Sequence, residues 1–326
     1  MQAGKLSNET LKNIIISNLK KNNNDILIGP DVGEDCAIIK FQDEVCVLTT
    51  DPITAAAKNA GTLGVHICCN DIASAGVRPL GVLVTILAPL SAELNDIKTV
   101  MDEVKEACDI LNIDVLGGHT EVTDAVNKMV LSITAIGKGK IGEYVTTGGA
   151  KVDDDIVVTG FAGLEGTVII ANDYFEHLKR KLDEKILKDA QSMMDNISVV
   201  KVGQIASDFG VNAMHDATEG GILGAIWETA EASGKGVHIF QNKIPVKDVT
   251  LKICHELNID PLRLISSGCM VITCNNGAEL CNKLRENGIN AEVVGKITES
   301  RKIITTDNGD VEIMPPESDE IYRIKV

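Results

Sequence analysis

Residues 61–79, GTLGVHICCNDIASAGVRP, hold the most informative alternation of apolar and polar positions in the chain. Val65, Cys68, Cys69, Ile72 and Ala75 recur at steps of three and four, which predicts a helix with one apolar face. Gly76 and Pro79 supply the chemistry that ends it. Asn70 and Asp71 fall in its middle, where short polar side chains compete for backbone hydrogen bonds. Asp71 either points into water or, if buried, needs a partner such as a cation, because an unpaired buried charge is expensive.

The remaining pattern is a succession of strands and helices. Residues 7–19 read as an amphipathic helix with Leu11, Ile14, Ile15 and Leu19 on one side. Apolar runs at 36–41 and 45–50 predict strands joined by a polar turn, and 81–89 predicts a third. Ser91 is placed to cap the next helix, whose stripe runs through Ile97, Val100, Met101, Val104, Cys108 and Leu111. Residues 113–121 form a strand running into Gly117 and Gly118, and 129–137 form another. The character changes around 144–155, with a glycine pair and three consecutive aspartates. A domain boundary is expected there, dividing the chain into 1–148 and 149–326. The second half opens with a strand at 156–163, continues mostly helical to 209, and then alternates strand and helix. One of its helices carries Trp227 and Glu228. Asn308–Gly309 marks the turn of a closing hairpin.

Length and composition narrow the class. At 326 residues two domains are the natural division. Hydrophobic residues make up 44% and aromatics only 3%, so the interior is built from Ile, Val, Leu and Ala. Lys plus Arg number 31 against 47 Asp plus Glu, a net charge of −16. Such a surface repels nucleic acid and anionic membranes but offers carboxylates to divalent metal. The first residues lack a signal-peptide pattern, and no apolar run is long enough to span a bilayer. Nine scattered cysteines, with no CxxC pair and no zinc spacing, read as reduced core residues of a cytoplasmic protein.

Candidate chemistry lies in the placement of acids. Gly137–Gly142 matches GxGxxG in letters, but the residues after it, EYVTTGGAK, do not make a helix, so nothing would hold a pyrophosphate. Asp35 precedes one predicted strand, Asp51 ends another, and Asp71 sits on the small-residue helix. Glu121 follows Gly117, Gly118, His119 and Thr120, while Asp216, Thr218 and Glu219 stand just ahead of Gly220–Gly221. Any one of these is an ordinary loop acid; together they fit a shared mouth at strand ends. Two carboxylates about 4 Å apart repel by roughly 4 kcal/mol at an effective dielectric of 20, so converging acids would call for Mg²⁺. His119 reads as a metal ligand, an acid–base group or a structural donor. His215 and His66 read as packed or hydrogen-bonding residues, and Cys68–Cys69 as core.

As an ensemble these motifs resemble the superfamily of aminoimidazole ribonucleotide (AIR) synthetase, thiamine-monophosphate kinase, selenophosphate synthetase and HypE-type hydrogenase maturation proteins. The likeness covers nearly the whole chain: DVGEDCAII, TTD at 49–51, CCNDIASAGVRP, VLGGHTE, the crossover GKIGEYVTTGGAKVDDDIVVTGFAGLEG, HDATEGGILGAIWE, SSGCMVITC and GKI near Gly295. It implies a two-domain α+β, AIR-synthase-like fold. The N-terminal domain would be ferredoxin-like and would form a β-barrel across a homodimer; the C-terminal domain would be an α/β layer over the cleft. It also implies ATP held through Mg²⁺, with Asp35, Asp51, Asp71, Asp216 and Glu219 on metal. His119 and Asp51 would be catalytic, and Thr50, Asn70, Gly117, Gly118, Thr120 and Thr218 would contact the nucleotide.

The implied reaction activates a carbonyl, amide or acid oxygen by phosphorylation, on a small-molecule or carbamoyl-type substrate and with a maturation-protein partner. A kinase resembling thiamine-monophosphate kinase, or an ATP-sensing scaffold without turnover, are the alternatives. The body resembles HypE most closely, with two departures. His119 stands where the glycine loop usually has Asp, as in selenophosphate synthetase, yet no Cys precedes Cys36. The chain ends Tyr322-Arg323-Ile324-Lys325-Val326, without the thiol that carries the carbamoyl group in HypE-type tails, so a different substrate is expected.

Overall fold

The computed structural model describes residues 6–19, 22–54, 59–316 and 318–325. Among them the chain builds two mixed sheets, each with its own core. The first comprises β1 (Ile26–Ile28), β2 (Ala37–Phe41), β3 (Glu44–Ile53), β4 (Arg78–Pro89), β5 (Asp114–Thr123) and β6 (Val130–Lys140). Its order is β1-β2-β3-β6-β4-β5, antiparallel except where β4 meets β5. Helix Ala60–Ser74 connects β3 to β4, and helix Leu94–Leu111 connects β4 to β5.

This corrects the expected ferredoxin-like plan in its chain order. In that plan the two middle strands follow each other directly, whereas here both helices are used first and β5 and β6 come last. Either plan leaves one face under helices and one face bare. Leu80 and Leu83 of β4, and Val115, Leu116 and Val122 of the edge strand β5, are exposed.

The second sheet contains β7 (Asp155–Thr159), β8 (Ala213–Asp216), β9 (Gly236–Phe240), β10 (Met270–Cys274), β11 (Ala291–Thr298), β12 (Lys302–Thr306) and β13 (Gly309–Glu312). They are ordered β13-β12-β9-β11-β7-β10-β8, with β9 and β12 the parallel pair. On β7, Ile156 and Val158 enter one core with helix Gly221–Ala232, while Val157 enters another with helices Val200–Phe209 and Gly277–Glu286. The sheet is therefore layered on both sides, which is why its strands read as unbroken apolar runs.

Helix Ala60–Ser74 joins the halves. It is buried almost all round, including Gly61, His66, Asn70 and Asp71, so the predicted single apolar face is only a fraction of its contact surface. Small residues permit this. A Cβ on Gly61 would lie 2.5 Å from the Val100 carbonyl oxygen, and a Cβ on Gly203, in the second half, would lie 2.2 Å from that of Ala73. Asn70 stitches the contact: its amide donates to the Ile197 carbonyl at 2.9 Å and accepts from the Val199 N–H at 2.8 Å.

Two local expectations change. Residues 8–18 are helical but irregular, passing from a short α turn through a π turn to a 3₁₀ turn, and Ile14, Ile15 and Leu19 stay exposed. The cap of helix Leu94–Leu111 is Glu93, in a reciprocal capping box with Asp96, rather than Ser91. All nine cysteines are free, and among the described residues no helix is long and apolar enough to cross a membrane.

Candidate active site

Strand alternation aims the first acid. Along β3, Val45, Val47, Thr49 and Asp51 share one face because side chains repeat every two residues. Helix Ala60–Ser74 packs on that face and brings Asp71 against it, so the Thr49 hydroxyl donates to Asp71 Oδ2 at 2.6 Å. Asp35, just before β2, accepts from the Ser74 hydroxyl at 2.9 Å. From the second half, β8 ends in His215 and Asp216, and its following loop carries Thr218 and Glu219.

His215 is the pivot. Its Nδ1 lies 2.8 Å from Asp35 Oδ2 and its Nε2 3.1 Å from Glu228 Oε2. Burial works against its charge, but the Asp35 and Glu228 carboxylates outweigh that and hold its pKa well above the usual range. Asp35, His215 and Asp216 can each place one ligand atom within 4.8 Å of the others. A charged imidazole with both nitrogens engaged has no lone pair to give, so His215 serves as counter-ion and the oxygens are the donors.

Asp216 is fully buried, and neither of its carboxylate oxygens has a hydrogen-bond partner. Burial first, then Asp35 and Asp51, push its pKa well above the ordinary value. Burial and the Asp216, Asp51 and Asp35 charges do the same to Asp71. Glu34 is raised to about 7, chiefly by burial and by Asp35. Orphaned buried oxygens of this kind cost about 1–3 kcal/mol each unless something satisfies them. Hard carboxylate oxygens converging on one point suit Mg²⁺, which binds through a few carboxylates and retains positions for water or phosphate.

Above these groups opens a cavity of about 460 Å³ between the two halves of the chain. Asp35, Thr50, Asp51 and Asp71 line it from one side, and Glu165, Thr218, Glu219 and Ser267 from the other. Asp35, Asp51, Asp71, Thr218 and Glu219 thus meet in one hollow, with Asp216 buried beside Asp35. Thr50 reaches the cavity too, although its hydroxyl is held by the Ile133 carbonyl at 3.2 Å and the Thr134 hydroxyl at 2.9 Å.

The other candidates lie elsewhere. Asn70 spends its amide on the backbone of 197–199. Gly117, Gly118, His119 and Thr120 lie on β5, where Gly118 is in register with Val84, Val84 with Ile133, and Ile133 with Asp51. Three strand spacings separate that row's ends, about 14 Å. His119 is exposed, 3.5 Å from Glu121. Gly118 has a packing reason of its own: a Cβ there would come within 1.9 Å of the Val84 carbonyl oxygen. The remaining sulfur and imidazole groups are quiet. Cys68 donates to the Ile133 carbonyl at 3.1 Å with its pKa raised by burial, and burial lowers that of His66 to about 4.

Sequence reasoning passed over Glu34, Glu165, Ser267, Ile321 and Tyr322, all of which line the cavity. Glu34 adjoins Asp35, and Glu165 sits in the glycine-flanked FAGLEG, so a signal existed for both. Ser267 lies in the motif SSGCMVITC at 266–274, whereas Tyr322 had no signal.

The fold and this acid-lined hollow define a class. The family description "AIR synthase related protein, N-terminal domain" matches residues 33–138, and its C-terminal counterpart matches 151–308. The chain belongs to the AIR synthase related family. Within it, the chain is similar to MJ0676 of Methanocaldococcus jannaschii, a protein named for hydrogenase expression and formation. The two are 30% identical over 342 residues, 98% of this chain and 97% of that protein. The carbamoyl dehydratase HypE of Bradyrhizobium diazoefficiens is 28% identical over 247 residues, 73% of this chain and 69% of its own. Among solved structures, a chain of the HypE–HypF complex superposes with a TM-score of 0.76 at 20% identity, covering 94% of this chain and 99% of that one. Thiamine monophosphate kinase of Aquifex aeolicus superposes at 0.70 and 17%, covering 93% and 97%.

Proposed function

We propose that this chain is an ATP- and Mg²⁺-dependent enzyme of HypE-like type that phosphorylates a carbonyl, amide or acid oxygen in the service of hydrogenase or related cofactor maturation. The observation that carries the reading is Asp216, fully buried with both carboxylate oxygens unpartnered, beside Asp35 at the floor of the cavity that Asp51 and Asp71 line. Its relatives support the nucleotide: one solved HypE, with a TM-score of 0.68 at 18% identity, is in complex with ATP, and a thiamine monophosphate kinase is complexed with AMPPCP and TMP. The HypE–HypF complex supports a maturation-protein partner.

Asp35, Asp51, Asp71, Asp216 and Glu219 would hold the metal, which when bound would supply positive charge to offset that of the phosphates. His215 orients Asp35 through the 2.8 Å contact of its Nδ1 with Asp35 Oδ2. Glu228 fixes His215, and it accepts in turn from the Asn8 amide at 3.2 Å, so the N-terminal segment is tied to the same network. The exposed apolar residues of β4 and β5 support a homodimer formed through the bare face of the first sheet. In that pairing His119, Gly117, Gly118 and Thr120 of one copy could serve the acids of the other. Mg²⁺-dependent ADP release tests the assignment: Asp51→Asn should slow it by at least about a hundredfold, and equal rates would refute it.

A further inference from the structure

We propose that Asp319, near the C-terminal end of the chain, is a positioning residue for the loop that carries Glu219. This rests on the metal reading above and adds to it a residue that acts only through the backbone of that loop. Asp319 is buried; its Oδ2 accepts from the Gly220 N–H at 2.8 Å and its Oδ1 from the Ile321 N–H at 2.9 Å. Gly220 follows Glu219 directly and leads into helix Gly221–Ala232. Its φ is +85°, and a Cβ there would lie 2.7 Å from the Pro316 Cβ, so the chain after β13 crosses the loop in close contact. Before Glu219 the loop is tied to the approach to β10. The Ala217 N–H donates to the Cys269 carbonyl at 3.0 Å, and the Thr218 carbonyl accepts from the Ser266 N–H at 3.3 Å. Beyond Glu219, the bond from Gly220 ties it to a carboxylate 99 positions away.

The tie matters because a ligand side chain has to be held within roughly 0.5 Å of its productive position, and Glu219 sits on a loop rather than on a strand. A carboxylate is a strong partner for a backbone N–H at the start of a helix. Burial first, and Glu219 to a lesser degree, push the Asp319 carboxyl up to about 6, against the pull of the Ile321 and Gly220 N–H groups, which leaves it ionised at neutral pH. A cation on Glu219 would relieve the repulsion between the two acids. Occupancy of the metal site and the clamp on Gly220 therefore favour each other, and the coupling is reciprocal. The segment has separate anchors of its own. Glu320 accepts from the Asp260 N–H at 3.1 Å and pairs with Arg323 at 2.9 Å, and Ile321 and Ile324 pack against a buried cluster that includes Ile253 and Leu264. Those contacts hold the segment without bonding to the loop, so the two roles can be separated by mutation.

The test compares the full chain with its Asp319→Ala and Glu320→Ala variants by two measurements: hydrogen exchange at the Gly220 amide in metal-free buffer, followed by NMR, and calorimetric titration with Mg²⁺·AMPPCP. Asp319→Ala should speed exchange at Gly220 by at least about tenfold and weaken Mg²⁺·AMPPCP by at least about tenfold. Glu320→Ala, which loosens the segment but not the loop, should leave both within about threefold of wild type. Asp319→Asn keeps the shape but offers one acceptor oxygen to two N–H groups; it should shift both by at least about threefold, and it serves if the alanine variant does not fold. Thermal unfolding reports separately on whether each variant folds. Unchanged exchange at Gly220 or unchanged affinity in a folded Asp319 variant would overturn the proposal, and so would equal losses of affinity in Asp319→Ala and Glu320→Ala. A wild type that binds no Mg²⁺·AMPPCP would overturn the nucleotide reading instead, and exchange at Gly220 would still decide whether Asp319 fixes the loop.

Discussion

Replacing Glu165 by glutamine should flatten the dependence of stability on pH. In the folded chain burial holds the Glu165 carboxyl at about 8, against an ordinary 4.5, while Ser267 offsets this only to a degree. A carboxyl raised in this way binds its proton more tightly when folded than when unfolded. Its contribution to stability is complete below about pH 4.5 and is lost as pH rises through about 8. The separation of those two titrations, at about 1.4 kcal/mol per pH unit, amounts to roughly 5 kcal/mol. Of this, about 3 kcal/mol falls between pH 5 and pH 8. Glutamine keeps the shape and a donor–acceptor pair but does not titrate. The raised carboxylates Asp71 and Asp216 titrate in both proteins and drop out of the difference. Urea unfolding followed by circular dichroism in metal-free buffer, at steps from pH 5 to pH 8, measures the effect. Wild type should lose about 3 kcal/mol more than Glu165→Gln over that range. Parallel profiles would mean that Glu165 ionises in the folded chain as it does in water, and the burial argument would fail.

Three further outcomes are expected. Asp216→Asn should weaken Mg²⁺ binding by at least about tenfold in calorimetry while stabilising the metal-free protein, because it removes a carboxylate that burial and its neighbours disfavour; unchanged affinity would exclude Asp216 as a ligand. Asn70→Ala should cost about 2–3 kcal/mol in urea unfolding, since it leaves the Ile197 carbonyl and the Val199 N–H buried and unpaired; a loss below about 1 kcal/mol would show that the seam repacks. Leu116→Asp places a charge on the exposed edge strand and should turn a dimer into a monomer in sedimentation equilibrium; a wild type that is already monomeric would refute the proposed pairing.

Much of this molecule could be read along one dimension. The runs at 36–41, 45–50 and 81–89 became β2, β3 and β4 because unbroken apolar stretches have few other ways to be satisfied. The hairpin of β12 and β13 turned where Asn308 and Gly309 permit it, and Asp51, Asp35 and Asp71 met in one hollow. Packing decided the rest. Helix Ala60–Ser74 shows one apolar stripe in sequence, yet residues more than a hundred positions away, such as Gly203 and Val199, cover its other sides. Gly117 and Gly118 read as a phosphate loop, but β5 sets them in an edge strand three strands from Asp51, because strand order depends on which crossovers close. Glu165 and Ser267 are 102 positions apart in the numbering and carry no shared motif. Periodicity reports what each segment must bury. Only the assembled layers determine which buried polar residues come to line the same cavity.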